Sequence, residues 1–297
     1  MDALVLPFNK INEYNEHPDV YLNDYVHGKA FGNYSYHLDP KNVARDENGD
    51  LLLWTRPPVG GVVPSSQLST RRSDFLLGTY RSLISFPRLP GSCAGFFYYY
   101  NDSQEIDIEY LGQKSDMLYV SSKTIPLPDY KASTWENVPV SKGSLEDKFI
   151  NYRFDWLPDR VDFYMDDKRV STLPASPSMP GKVMLMHWSS GDENWSGTPH
   201  ADIVSKFRNV AAFFNSTSPT IKRNYDTLCQ AHRQESTALC KVANFSTTDL
   251  YGYNENVIRL SASSTDETSS AVRTSPSIDA TWVSLVACIV VVVMYVS

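Results

Sequence analysis

The chain is divided into short apolar or alternating runs, and a turn signal stops each one. Leu51–Arg56 ends at Pro57-Pro58, and Phe75–Phe86 alternates loosely up to Pro87. Gly95–Tyr100 is an aromatic run bounded by Asn101-Asp102, and Glu105–Leu111 stops at Gly112. Met117–Thr124 follows, then a proline-containing stretch from Pro126 to Val140 that reads as a loop. Asn151–Trp156 and Arg160–Asp166 flank the turn sequence Leu157-Pro158-Asp159, and Val183–Trp188 and Ile203–Phe214 complete the body. Runs of this length, punctuated by Gly, Pro, Asn and Asp, predict strands. No helical pattern of about 10–15 residues alternates with them, which excludes a parallel α/β fold. The expectation is an all-β sandwich or barrel. The unbroken Phe96-Phe97-Tyr98-Tyr99-Tyr100 predicts strands buried on both faces, with Phe96 and Phe97 in the core. Trp156 is expected in the core as well.

One run departs from the apolar pattern. Glu105-Ile106-Asp107-Ile108-Glu109 alternates strictly between acid and isoleucine. In a strand, residues i, i+2 and i+4 share a face, so the three carboxylates stand in one row with both isoleucines behind them. The first and last Cα atoms lie roughly 13 Å apart at about 3.3 Å per residue. Inward-leaning Glu side chains close that gap to about 5–5.5 Å, the separation between nucleophile and acid/base in a retaining glycosidase. Asp107, one methylene shorter, is placed to hydrogen-bond a neighbouring Glu and to set which acid keeps the proton. Like charges at this spacing push one pKa up, which suits a proton donor near neutral pH. An exposed edge strand of alternating charge and a calcium ligand set remain alternatives for so short a pattern.

Composition narrows the class. The 297 residues are 42% hydrophobic and 12% aromatic, enough for one large core, and the net charge of −7 argues against a nucleic-acid binder. The four cysteines, Cys93, Cys229, Cys240 and Cys288, form no C-x-x-C or zinc spacing. No H-E-x-x-H, G-x-S-x-G or phosphate-binding glycine loop occurs. No metal or cofactor is expected. Cys229 and Cys240 would close a small disulfide loop, and Cys93 is either a buried thiol or a partner to one of them. Five N-x-S/T sequons, at Asn33, Asn101, Asn194, Asn215 and Asn244, lean toward the secretory route. A glycan on Asn101 would stand beside the aromatic strand.

The C-terminus leans the same way. Ser261–Ser277 is rich in Ser and Thr, small residues cluster at Ser269-Ser270-Ala271, and Trp282–Val296 is almost wholly apolar. Small residues, a polar spacer and a hydrophobic tail match a glycosylphosphatidylinositol (GPI) attachment signal, with a short tail anchor as the alternative. The N-terminal Met1-Asp2-Ala3-Leu4-Val5-Leu6-Pro7 lacks a basic and an apolar signal region, so the true start is expected upstream. The expected organisation is a catalytic domain over 1–215, an extension over 216–260 carrying Cys229 and Cys240, a linker over 261–281 and the tail over 282–297.

With these pieces in order, the chain resembles glycoside hydrolase family 16 over roughly Leu51 to Asn215. The resemblance rests on Ser69-Thr70-Arg71 with Gly78-Thr79-Tyr80, on Gly91-Ser92-Cys93-Ala94-Gly95-Phe96-Phe97, and on Glu105-Ile106-Asp107-Ile108-Glu109-Tyr110-Leu111-Gly112. It continues through Phe154-Asp155-Trp156-Leu157-Pro158 with Val161, Tyr164 and Asp166, then Met184–Trp188 and Ser196-Gly197. The ending Phe213-Phe214-Asn215-Ser216 and the tail look most like secreted fungal members. The resemblance implies a concanavalin-A-like β-jelly roll and a retaining endo-acting attack on β-glucan of the β-1,3/1,4 type. Glu105 would be the nucleophile, Asp107 its assistant and Glu109 the acid/base. One branch of the family carries an extra residue before the last Glu. This chain has none and sides with the branch of lichenases, xyloglucan-active enzymes and fungal wall transglycosylases.

The resemblance also implies sugar platforms. Trp188 and Trp195 flank the polar Ser189–Asn194 loop, and Tyr99 offers a hydroxyl to a sugar. Trp54 and Arg56 are weaker candidates, and His187 reads as a structural histidine. The expected protein is a monomeric cell-surface or wall enzyme, GPI-anchored to the membrane. Two rivals remain: a transglycosylase that passes the same intermediate to a sugar hydroxyl, and a non-catalytic, lectin-like glucan binder on the same fold.

Overall fold

A computed structural model describes residues 2–29, 32–124 and 134–220. The expectations for Cys229, Cys240, Cys288, Asn244, the linker and the tail fall outside these residues. The strands are β1 (Asp2–Pro7), β2 (Val20–Leu22), β3 (Tyr25–His27), β4 (Ser35–Leu38), β5 (Val43–Arg45) and β6 (Leu51–Thr55). Then come β7 (Val62–Thr70), β8 (Phe75–Ser85), β9 (Cys93–Asn101), β10 (Gln104–Leu111), β11 (Met117–Lys123) and β12 (Thr134–Pro139). The last are β13 (Ile150–Trp156), β14 (Val161–Met165), β15 (Lys168–Leu173), β16 (Lys182–Trp188) and β17 (Ile203–Ser216).

They form two sheets packed as a jelly-roll sandwich. The first runs β15-β14-β13-β8-β17-β6-β5, with β1 also paired to β17. The second runs β12-β11-β10-β9-β16-β7-β4-β3, with β2 also paired to β7. Every pairing is antiparallel except β4 against β7. The core lies between the sheets. Tyr80, Tyr152, Phe154, Trp156, Phe163 and Phe214 face it from the first sheet, and Phe96, Tyr98, Ile106 and Ile108 from the second. Trp156 is fully buried, its indole N–H donating to Ser176 Oγ and the Pro177 carbonyl at 3.0 Å each. Burying each such side chain contributes roughly 1.5–3 kcal/mol. At Gly78 a Cβ would stand 2.2 Å from the Phe213 carbonyl oxygen, so only glycine lets β8 close on β17 there.

Two expectations are corrected, and one strand is added that the predicted runs did not include. Thr134–Pro139 is a strand inside the stretch read as loop: it pairs with β11 and buries Val138. Val62–Thr70 is a full strand, although its serines and Pro64 do not look like one. The aromatic run of β9 is buried on one face only. Phe96 and Tyr98 are in the core, Phe97 and Tyr99 are half-buried on the other face, and Tyr100 is exposed. The alternation of a strand requires this, since the first sheet covers only one side of the second.

Candidate active site

The outward face of the second sheet carries a cleft of about 530 Å³. Its floor follows from register. On β10, Ile106 and Ile108 are locked into the core, so Glu105, Asp107 and Glu109 must point outward. All three line the cleft, as the alternation predicts. The pairing of β10 with β9 is uninterrupted from Glu105 opposite Tyr99 to Leu111 opposite Cys93, and the one register shift lies before Glu105. The acids therefore stand in an unbulged row.

Their surroundings differ. β11 sets Lys123 opposite Glu105 and Ser121 opposite Asp107. The Lys123 ammonium donates to Glu105 and lies 3.6 Å from Asp107 Oδ2. Asp107 also accepts from the Ser121 hydroxyl. Asp107 was expected to hydrogen-bond a glutamate. Its neighbours on β10 face the same way with like charge, and its partners come from the adjacent strand instead. Glu109, at the other end, has no basic partner among the described residues. It accepts from the Cys93 thiol at 3.2 Å, and Trp195 covers that thiol. Cys93 is buried and free, so it is the buried thiol rather than a disulfide half.

Burial and the charge of Asp107 push the Glu109 carboxyl up to about 7. Burial, then Asp107, also raise Glu105, against the opposing pull of Lys123. Burial alone would lower the lysine, but Asp107 and Glu105 overcome this and hold its pKa above the usual value. Three carboxylates thus share one cation. The Lys123 ammonium favours the ionised form of Glu105 against the burial that raises it, and among the described residues Glu109 has no cation as near.

The aromatic candidates divide. Trp188 ends β16 on the cleft face and packs against Tyr36, ring centroids 5.1 Å apart, and Tyr36 stacks on His27 at 4.6 Å. Trp195 lines the cleft from the following loop, edge-on to Tyr119 at 5.1 Å. That loop is held by Ser189 Oγ on the Gly197 carbonyl (2.6 Å) and by the N–H of Gly197 on the Asp192 carbonyl (2.8 Å). Gly191 sits at φ +69° against the Tyr34 ring, a position closed to a side chain. Tyr99 lines the cleft, and its hydroxyl donates to Asp102 at 2.8 Å. Trp54 and Arg56 do not line it. Arg56 lies over the Trp54 ring and pairs with Asp202 and Asn42, on the first sheet's side. His187 is buried, bonded to the Leu53 carbonyl and Ser92 Oγ at 2.8 Å each, and burial lowers it to about 4. It is structural, as read.

Of the sequons, Asn33, Asn101 and Asn194 are exposed and Asn215 is half-buried. Asn101 Oδ1 accepts from the N–H and hydroxyl of Ser103 at 3.0 and 2.9 Å. The sequence reading missed Lys123, Ser121, Tyr36 and His27. A signal existed for Lys123: counting back through the short Gly112–Asp116 turn places it opposite Glu105.

Comparison with known proteins agrees with this geometry. The family model for glycosyl hydrolases family 16 matches residues 32–204. A beta-glucanase of Acetivibrio thermocellus is 29% identical over 160 residues, covering 50% of this chain and 46% of that protein. The Congo red hypersensitive protein 1 of Saccharomyces cerevisiae is 30% identical over 138 residues, 43% of this chain and 26% of that protein. The solved beta-glucanase of Bacillus licheniformis superposes with a TM-score of 0.60 at 20% identity, over 72% of this chain and 99% of that one. That likeness speaks for the fold. The chain spans about half the length of the Acetivibrio relative.

Proposed function

The chain belongs to glycosyl hydrolases family 16, and from that premise we propose that it is a retaining, endo-acting hydrolase of β-linked glucan, of the β-1,3/1,4 type. The observation that carries the proposal is the asymmetry of the acid row: at one end the Lys123 ammonium donates to Glu105, and at the other Glu109 is met by the Cys93 thiol, with no cation beside it among the described residues. Glu105 attacks the anomeric carbon while Glu109 gives its proton to the departing glycosidic oxygen. The C–O bond breaks and a glycosyl ester forms on Glu105. Glu109, now ionised, takes a proton from water, which attacks the same carbon and frees Glu105. Lys123 favours the ionised form of Glu105 that attacks, against the burial that raises it, and Asp107, held by Ser121 and Lys123, orients it. Trp188, Trp195 and Tyr99 flank the sugars. The names of the bacterial relatives support the bond class.

Incubation with lichenan, laminarin and xyloglucan tests the proposal. Glu105→Gln and Glu109→Gln should each lower turnover by about 10²–10⁴-fold while still unfolding in one cooperative transition. Either variant retaining full activity overturns the assignment, and binding without turnover by the unaltered protein favours a lectin. Longer labelled products with an added oligosaccharide acceptor would show transfer in place of hydrolysis. We also read the enzyme as a monomeric, glycosylated, GPI-anchored surface protein of the secreted fungal kind, from the sequons and the apolar tail. A phospholipase that cuts phosphatidylinositol anchors should release it from intact cells, and a protein found only in the cytosol would refute this.

A further inference from the structure

Trp135 is the most exposed tryptophan, tyrosine or phenylalanine among the described residues, at 67%. It stands on β12, the edge strand of the second sheet. A large exposed ring offers a flat apolar face on which a sugar ring can stack. Its direction is fixed by its neighbours. Val138 is buried in the core and Glu136 accepts from the Ser171 hydroxyl, so Trp135 must face the other way. Register then places it. Trp135 is opposite Ser121, Ser121 opposite Asp107, Asp107 opposite Phe97, and Phe97 opposite Met184. Directly opposed residues share a face. Trp135 therefore lies on the cleft face, two strands beyond the acid row, or roughly 10 Å at about 4.8 Å per strand. Among the described residues no ring packs on it.

The two flanks of the acids are not alike. On the β9, β16, β7 and β4 side, Tyr99, Gln67, Tyr36 and Trp188 enclose the cleft. On the β11 and β12 side, the half-exposed Ser121 leads to Trp135, and among the described residues none of those that line the cleft lies on β12. A double displacement can use this division. The portion esterified to Glu105 must be retained between the two steps, while the other portion must leave and water or a sugar must enter. We propose that Trp135 is the stacking platform for the sugar units on the leaving and entering side of the scissile bond. The occupant is the section of a β-linked glucan beyond the bond being cut. The apolar C–H face of its ring lies on the indole. This rests on the glycosidase reading of the same cleft.

The test uses the full chain with Trp135→Ala and Trp135→Tyr, exposed positions at which folding is checked by thermal melting. On long β-glucan oligosaccharides, Trp135→Ala should raise KM about three- to tenfold with kcat little changed. On a short aryl glycoside, whose leaving group does not extend to β12, it should match the unaltered enzyme. Trp135→Tyr should restore most of the loss. Titration of a long oligosaccharide into the Glu105→Gln protein, with and without Trp135→Ala, gives a binding readout that does not need turnover, and the same three- to tenfold weakening is expected. Equal KM and equal binding with and without the indole overturn the proposal, and so does an equal loss on long and short substrates. An unaltered enzyme with no turnover, whose glucan binding still weakens on loss of Trp135, sinks the glycosidase reading and leaves the platform standing.

Discussion

The two sheets each turn a charged face away from the core, and they balance that charge in opposite ways. On the first sheet, Asp155 and Asp162 sit opposite one another in register, an arrangement of like charges that would destabilise a bare sheet. Arginines answer them: Arg153 lies 3.4 Å from Asp155, and Arg160 and Arg169 lie 3.3 and 3.9 Å from Asp162. On the second sheet, Glu105, Asp107 and Glu109 have Lys123 alone among the described residues. A face built for stability is brought to neutrality. A face built for proton transfer keeps an excess of one sign, which together with burial raises the proton affinity of Glu105 and Glu109.

Paired substitutions test this contrast most directly. Lys123→Met should leave Glu105 without the cation that opposes its upward shift, so less of it is ionised and attack slows. We expect kcat/KM to fall by about 10²-fold or more and stability by about 1–3 kcal/mol, discounted because the lysine is about a third exposed. Asp162→Asn, on the other sheet, should cost about 1 kcal/mol in denaturant melts and leave kcat and KM unchanged. Matching kinetic losses in the two variants would dissolve the distinction.

A pH series sharpens it further. Glu109 is raised on folding to about 7. Between the unfolded value of about 4.3 and that folded value, the native state binds more protons than the unfolded one. Stability contributed by this group is therefore lost as pH rises through the window. Glu109→Gln removes the titration. From pH 5 to pH 8 the unaltered protein should lose about 1–3 kcal/mol more than Glu109→Gln, measured by urea unfolding. Parallel curves would mean that Glu109 titrates normally.

The legible parts of the molecule were those set by local alternation. The acid row, the core isoleucines behind it, Trp156, His187 and the late strands β16 and β17 all follow from a period of two with turn residues at the ends. What depends on a neighbouring strand was harder to read. Lys123 gains its meaning from the β10–β11 register, and no pattern within β11 announces it. Val62–Thr70 looks polar because six of its nine residues are buried in succession, several as serines and threonines whose hydrogen bonds are tertiary. Phe97 looked like core because a run of aromatics hides its own alternation, yet a ring that faces a cleft is as apolar as one that faces a sheet.

β17 lies between β8 and β6 and pairs with β1 along the rest of its length, from Pro7 opposite Asn209 to Asp2 opposite Phe214. The first and last strands of the sandwich are thus mates. During synthesis the opening segment must wait unpaired while some two hundred intervening residues are made, at about 5–20 per second. Only the arrival of the closing strand fills the gap between β8 and β6. Such long-range closure belongs to the slow end of folding rates, and until it happens the half-made sheet exposes hydrogen-bonding edges that a chaperone, or a sister chain, can occupy.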